Sequence, residues 1–228
     1  MCIRDSDDPD HPEGEDVIYY ITMYNEPVAQ PGAPDNLDVE ALLRGMYHYA
    51  SSPLEGDRPR AQILVSGVTM TAALKAQRIV ADEWGVAADV WSVTSWNELR
   101  RDAVDTEKWN LIHPGEERRS PYVRTALDGA PGPVVAVSDY MRAVQDQIAP
   151  WVGHTWCSLG TDGFGFADTR AAARRYFLVD AESIVVAILE SLARDGLYDD
   201  NAAAEAFNRY SLGDPTAVAG VAQEGASA

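Results

Sequence analysis

AQILVSGVTMTAALKAQRIVADEWGVAADVWSV, residues 61–93, is the stretch whose reading decides the fold. Its first six residues form a short continuous apolar run, the pattern of a strand buried on both faces of a parallel sheet. From about Thr69 to Trp84 the apolar period becomes helical. Ala73, Ala76, Val80 and Trp84 share the packing face, and Gly85 stops the helix. ADVWSV, residues 88–93, returns to strand. A strand, a helix of this length and a second strand make a crossover between parallel neighbours.

The same cycle runs outward on both sides. Downstream, Ser95 opens S-W-N-E, which sets Glu98 three residues after a capping serine and predicts a helix start. PVVAVS and TWCSLG read as two more strands, separated by residues 139–151. The second runs into the glycine-rich TDGFGFADTR and then a helix through Arg175. The segment from about Ala181 to Arg194 is apolar nearly all round (Ile184, Val185, Val186, Ile188, Leu189, Leu192), which predicts a buried helix. Its length from Asp180 to Gly196 favours helix over the strand that IVVAIL alone would allow. A last amphipathic helix spans about Asn201–Tyr210. Upstream, Val39, Leu42, Leu43, Met46 and Tyr47 fall at i, i+3, i+4, i+7 and i+8. That spacing predicts a helix from Asp38, capped by Asn36 or Asp38, with His48 on its surface. Strands alternating with helices of this length give an α/β fold, a mainly parallel sheet with helices on both faces.

Four segments follow from composition. VIYYITM, residues 17–23, is β-branched and aromatic and reads as a buried strand ending at Asn25, Glu26 and Pro27. NEPVAQPGAPDN, with three prolines and a glycine, has the composition of a semi-rigid connection. Residues 17–36 are therefore expected to be the last strand of a preceding domain and a linker, 37–213 a complete domain, and 214–228 a flexible tail. Residues 1–16 read as a non-native start. MCIRDS looks like the translated end of a sequencing adapter, and the acidic DDPDHPEGED after it has no apolar period, so Cys2 carries no weight.

Bulk properties exclude several functions. The 228 residues, 46% of them hydrophobic, suit a full-sized globular domain. Asp and Glu outnumber Lys and Arg by 36 to 18, a net charge of −18 that repels nucleic acid and anionic membranes. Cys157 has no Cys or His at metal-ligand spacing. Without a run of about 18 apolar residues or a basic, apolar leader, the sequence reads as cytoplasmic.

Ligands of parallel α/β sheets bind at the carboxyl ends of the strands, so the loops there hold the candidates. SGVTMT, after the first strand, lacks both G-x-G-x-x-G and G-K-[ST], so no nucleotide site is expected. LGTDGFGFADTR is the most distinctive string, since Gly160, Gly163 and Gly165 allow positive φ and close backbone approach. With Asp162, Phe164, Asp168 and Arg170 it is either a tight turn packed on a neighbouring subunit or a contact to cofactor or substrate across an interface. Asp168 is positioned to cap the following helix. His113, in the aromatic and charged WNLIHPGEERRSPYV, is a further candidate for the interface or entrance. No Ser or Cys stands at triad spacing to a His and an acid, and His48 and His154 suit only local hydrogen bonds.

YYITMYNEP (19–27), DVWSVTSWNELRRD (89–102), KWNLIHP (108–114), VVAVSDYMR (134–142), LGTDGFGFADTR (159–170) and RRYFLVD (174–180) occur in this order. The combination resembles the homodimeric, thiamine-diphosphate-dependent dehydrogenase component of pyruvate dehydrogenase complexes. The likeness runs from about Val17 to Gly213, and YNEPVAQP looks like the actinobacterial branch. The resemblance implies the tail of a middle domain followed by a whole transketolase-type C-terminal domain. It further implies an enzyme that decarboxylates pyruvate on thiamine diphosphate and Mg2+, reductively acetylates a lipoyl group on an acyltransferase partner, and works as a homodimer.

The departures are as informative. The family's G-D-G motif and asparagine pair are missing: none of Asp128-Gly129, Asp162-Gly163 and Asp195-Gly196 follows a glycine, and no Asn-Asn occurs. The activating glutamate and catalytic histidines of the family belong upstream, so no catalytic, cofactor-binding or metal-binding residue is expected here, and the segment alone is expected to be inactive. Two alternatives stand: a transketolase or other 2-oxoacid dehydrogenase, and a non-enzymatic interaction domain of the same fold.

Overall fold

The computed structural model describes residues 2–4, 18–20 and 27–214. β1 (Cys2–Arg4) pairs antiparallel with β2 (Ile18–Tyr20), a partner the sequence reading did not foresee. The rest of the strand expected over 17–23, the acidic stretch, Asn25 and Glu26 of the linker, and the tail from residue 215 lie outside the described residues.

The helix expected from Asp38 through Tyr47 is a correction. α1 spans only Val39–Leu43, capped by Asp38, whose carboxylate accepts the Ala41 N–H at 3.0 Å. Gly45 then turns the chain at φ +107°, where a Cβ would lie 2.8 Å from the Ser95 carbonyl oxygen. That conformation favours glycine and ends the helix. Met46–Ala50 becomes β3. Met46 and Tyr47 are buried by strand pairing, while Val39 and Leu43 of the supposed apolar face are exposed. His48 therefore sits on a strand, edge-on to Trp91 at 5.1 Å.

From there the elements follow the expected order. β4 (Arg60–Val65) leads through a 3₁₀ turn (Gly67–Thr69) into α2 (Met70–Trp84), which ends at Gly85 in the left-handed conformation. β5 (Ala87–Val93) precedes α3 (Trp96–Ile112), whose cap Ser95 accepts the Glu98 N–H at 3.1 Å as the S-W-N-E string predicts. α4 (Tyr122–Leu127), six residues behind Pro121, was not expected. β6 (Val134–Val137), α5 (Arg142–Asp146), α6 (Ala149–Val152) and β7 (Trp156–Leu159) come next. α7 (Arg170–Tyr176), α8 (Ala181–Arg194) and α9 (Ala202–Arg209) close the described chain.

β3 to β7 form one sheet in the order β3-β5-β4-β6-β7; β3 is an antiparallel edge and the other four strands are parallel. Successive residues of a strand point to opposite faces, and both faces are covered. Ile63 and Val65 pack with α2 and α8, through Ala73, Val80, Ile184 and Ile188. Leu64 between them packs the other way, with Leu99, Val123 and Ile148. Each such fully buried aliphatic side chain contributes roughly 1.5–3 kcal/mol. After β5 the chain returns across β4 to form β6. This reversal opens a crevice at the carboxyl ends of β4 and β6, where ligands of such sheets sit.

Candidate functional site

At that crevice the strand ends are joined by hydroxyls. Ser66, just after β4, and Ser138, just after β6, are hydrogen-bonded through their side chains at 2.9 Å, and Trp96 Nε1 donates to Ser66 Oγ at 3.0 Å. The Tyr140 N–H donates to Ser138 Oγ at 3.2 Å. Ser66, Ser138 and Trp96 are buried. Beside them lies a cleft of about 420 Å³ whose walls include Gly67, Thr94, Asn97 and Tyr140. Its lining has no carboxylate, imidazole, thiol, amine or guanidinium, so it supplies shape and neutral hydrogen bonds rather than acid–base chemistry. The sequence reading missed this network. Its signal was present only as a polar residue following each of two apolar runs.

Next to the cleft, the Gly160–Arg170 loop is clamped at its base. Asp162 accepts the Arg142 backbone N–H at 3.0 Å and Arg142 Nε at 2.6 Å. Thr161 donates its N–H to the Tyr140 carbonyl at 2.9 Å and its hydroxyl to the Asp139 carbonyl at 2.6 Å. Gly160 is required for space: a Cβ there would meet the Tyr140 carbonyl oxygen at 2.5 Å. The Arg142 guanidinium and its backbone N–H hold the Asp162 carboxyl below the usual carboxylate range, and Asp162 in turn raises Arg142. Only Gly163 of the three candidate glycines takes positive φ, at +99°; Gly165 needs neither a special φ nor space.

Beyond the clamp the loop presents aromatic surface. Phe164 is 98% exposed. Phe166 stacks on Tyr176 of α7 at 4.4 Å between ring centroids. The cap expected of Asp168 belongs to Thr169, whose Oγ1 accepts the Ala172 N–H at 3.3 Å. Asp168 accepts the Thr169 N–H at 2.6 Å instead, because extended backbone at Thr169 puts that residue one step before the first helical turn. Arg170 opens α7 on the exposed side.

His113 is placed elsewhere. It closes the C-terminal end of α3, stacked on Trp109 at 4.3 Å with Nδ1 2.8 Å from the Trp109 carbonyl oxygen. At about 1.5 Å per residue, the length of α3 sets it roughly 25 Å from the strand ends where that helix begins. The structure therefore does not bring His113 and the glycine-rich loop together. His154 precedes β7, half-buried. Cys157, in β7, is a poor nucleophile: burial, with a smaller push from Glu190, raises its thiol above the usual range. Among the described residues no three His, Cys, Asp or Glu side chains gather where a metal ion could be held. No described helix is long and apolar enough to cross a membrane.

Residues 45–180, from the turn before β3 to the cap of α8, match the family described as the transketolase-like TK C-terminal domain. The chain belongs to that family. Beyond the domain, it is 58% identical over 203 residues to the pyruvate dehydrogenase E1 component of Mycolicibacterium smegmatis, covering 89% of this chain and 22% of that protein. The E1 component of Mycobacterium tuberculosis is 56% identical over the same shares. That of Corynebacterium glutamicum is 50% identical over 90% of this chain and 22% of its own length. The transketolase-like domain thus spans, with its flanks, about a fifth of the length of the curated relatives it matches. These likenesses bear out the resemblance to pyruvate dehydrogenase components of the actinobacterial type and the α/β fold read from the strand and helix periods.

Proposed function

We propose that this chain is the C-terminal transketolase-type domain of a pyruvate dehydrogenase E1 subunit, shaping the subunit interface and substrate entrance without holding the cofactor itself. The observation that carries the reading is 58% identity to an actinobacterial E1 component across 89% of the chain. In the whole subunit the activity is decarboxylation of pyruvate and reductive acetylation of a lipoyl group on an acyltransferase partner, by a cytoplasmic homodimer. Thiamine diphosphate with Mg2+ supplies the electron sink for that chemistry.

The described residues at the strand-end crevice do not fit that group. A diphosphate–magnesium site needs oxygen donors arranged around one ion. The crevice at the strand ends offers hydroxyls and an indole N–H already bonded to one another, and its lining has no carboxylate. The part left to this domain is mechanical. A loop clamped at its base presents Phe164 to solvent and stacks Phe166 on Tyr176, which suits a contact to a second subunit or to the rim of an entrance.

A chimaera tests the reading. The segment of the M. smegmatis E1 component that aligns with this chain is replaced by it, and pyruvate-dependent acetylation of a lipoyl-bearing acyltransferase is measured beside the truncated subunit. Activity restored to within about tenfold of the parent supports the proposal. A folded, dimeric chimaera no more active than the truncation overturns it.

A further inference from the structure

Away from the strand ends, α2, α7 and the start of α8 enclose a separate cleft of about 270 Å³. Thr71, Ala72 and Lys75 come from α2, Ala171 and Arg174 from α7, and Asp180, Ala181 and Glu182 from the start of α8. The i, i+4 spacing of Thr71 and Lys75 and the i, i+3 spacing of Ala171 and Arg174 turn each pair onto one side of its helix. The result is an alanine floor with a charged rim.

Two cations and two carboxylates line that rim, but the buried arginine behind it adds a third cation, so the charges around the cleft do not balance. Behind the cleft Arg175, 3% exposed, donates Nε to Asp180 and Nη2 to Glu182, the latter at 3.3 Å. Lys75 Nζ meets the other Glu182 oxygen at 2.6 Å, and Asp180 gives its second oxygen to the Ser183 N–H at 3.1 Å. All four carboxylate oxygens are therefore engaged, by two cations and a helix cap. Arg174 is the third cation, half-buried on the cleft wall. Its side chain has no anionic partner among the described residues. An unpaired guanidinium in a partly desolvated cleft attracts an anion more strongly than the same group in open water.

We propose that this cleft binds a small monocarboxylate with a short aliphatic chain, its carboxylate on Arg174 with help from Lys75 and its chain on Ala72, Ala171 and Ala181. The three-to-two count of cations over carboxylates selects the anion. The alanine floor and the volume select a short apolar tail over a bulky or highly charged one. Because α7 is the direct continuation of the Gly160–Arg170 loop, a bound carboxylate fastens α7 to α2 and α8 and steadies the loop from its far end. The cleft shares no residue with the crevice at the strand ends, so the inference stands apart from the assignment to pyruvate dehydrogenase.

Isothermal titration of the 228-residue chain with sodium butyrate, at ionic strength held constant with sodium chloride, is the test. Butyramide serves as the neutral isostere and inorganic phosphate as the anion without a tail. Saturable binding of butyrate is expected, with butyramide at least about tenfold weaker, as for loss of a charge-assisted hydrogen bond. Arg174→Gln is expected to weaken butyrate to the same degree while leaving the thermal midpoint in place, since that side chain has no internal partner to lose. Ala171→Leu, which fills the floor, should also lose butyrate. Butyrate that does not saturate by 20 mM (about 20 mM marks the weak end of specific binding) overturns the proposal. So does equal binding to Arg174→Gln, and phosphate that binds as tightly as butyrate overturns the choice of an aliphatic carboxylate.

Discussion

Replacing Arg175 by Leu should destabilise the described chain strongly. The guanidinium is 3% exposed and ties together three parts of the fold: Asp180 at the cap of α8, Glu182 in its first turn, and the Tyr210 carbonyl beyond α9, which accepts Nη1 at 2.9 Å. Removing one member of a buried ion pair costs about 3–5 kcal/mol, because the partner's charge is left desolvated and unpaired. The lower end applies here. Glu182 keeps Lys75, Asp180 keeps the Ser183 N–H, and the acids' side chains are 20% and 12% exposed. The expected loss is therefore about 3 kcal/mol, which for a domain of this size lowers the midpoint of thermal unfolding by about 6–12 °C. Urea titration followed by circular dichroism measures it. Arg175→Leu combined with Asp180→Asn should recover part of the loss, since asparagine still caps the helix and no longer carries the stranded charge. A single-mutant loss below about 1 kcal/mol, the range of an exposed pair, would show that this guanidinium does not act as a buried tie.

Further outcomes follow from the same geometry. Glu182 is held below its ordinary value of 4.5; burial alone would raise it, but the hydrogen bond from Lys75, its own backbone N–H and the charges of Lys75 and Arg175 outweigh that. A depressed carboxylate contributes its stability in full above the ordinary value and loses it as pH falls through the depressed one, so Glu182→Gln should flatten the acid limb of a stability profile below pH 4.5 and leave its shape above that range unchanged. Asp162 is likewise lowered from 3.8; hydrogen exchange at Thr161 and Arg142 should accelerate in Asp162→Asn at neutral pH, and loosening of the wild-type loop already at pH 5 (about one unit above the usual aspartate range) would contradict the clamp. Gly160→Ala forces a Cβ to within 2.5 Å of a backbone oxygen and should cost about 1–3 kcal/mol by chemical denaturation, whereas Gly165→Ala, with nothing nearby, should cost well under about 0.5 kcal/mol. Cys157 should react slowly with a disulfide reagent at pH 8, with a rate still climbing past pH 9.0, the ordinary thiol value; a rate equal to that of a free thiol would show that β7 opens readily.

Much of the fold was legible because local period and tertiary role agree. In α2 the alanine and valine stripe, the Gly85 stop and the strands on either side point to one answer, and α8 is long enough to overrule its β-branched core. The disagreement at α1 has a physical cause. Leu42, Met46 and Tyr47 fit a helical period by accident, while Gly45 is the residue that can turn at φ +107° against Ser95 and Leu99. The aromatic MYHYA that follows was the available strand signal. α4 escaped because six residues carry too little period to register. The glycine-rich loop was recognisable as a loop, yet what fixes it was not: Arg142 lies 20 residues from Asp162, across a helix pair and a strand. The Ser66–Ser138 bond spans 72 residues and exists only once β4 and β6 are neighbours. Arg174 and Arg175 look interchangeable in RRYFLVD. Only packing buries one against two acids and turns the other into a cleft.

The division of labour assigned to this domain is tested most directly by calorimetric titration of the isolated chain with thiamine diphosphate and Mg2+. No heat of binding is expected, because the oxygen donors that such a site needs are not gathered among the described residues and its sequence motifs are not found in the chain. Saturable binding at micromolar affinity would contradict that division.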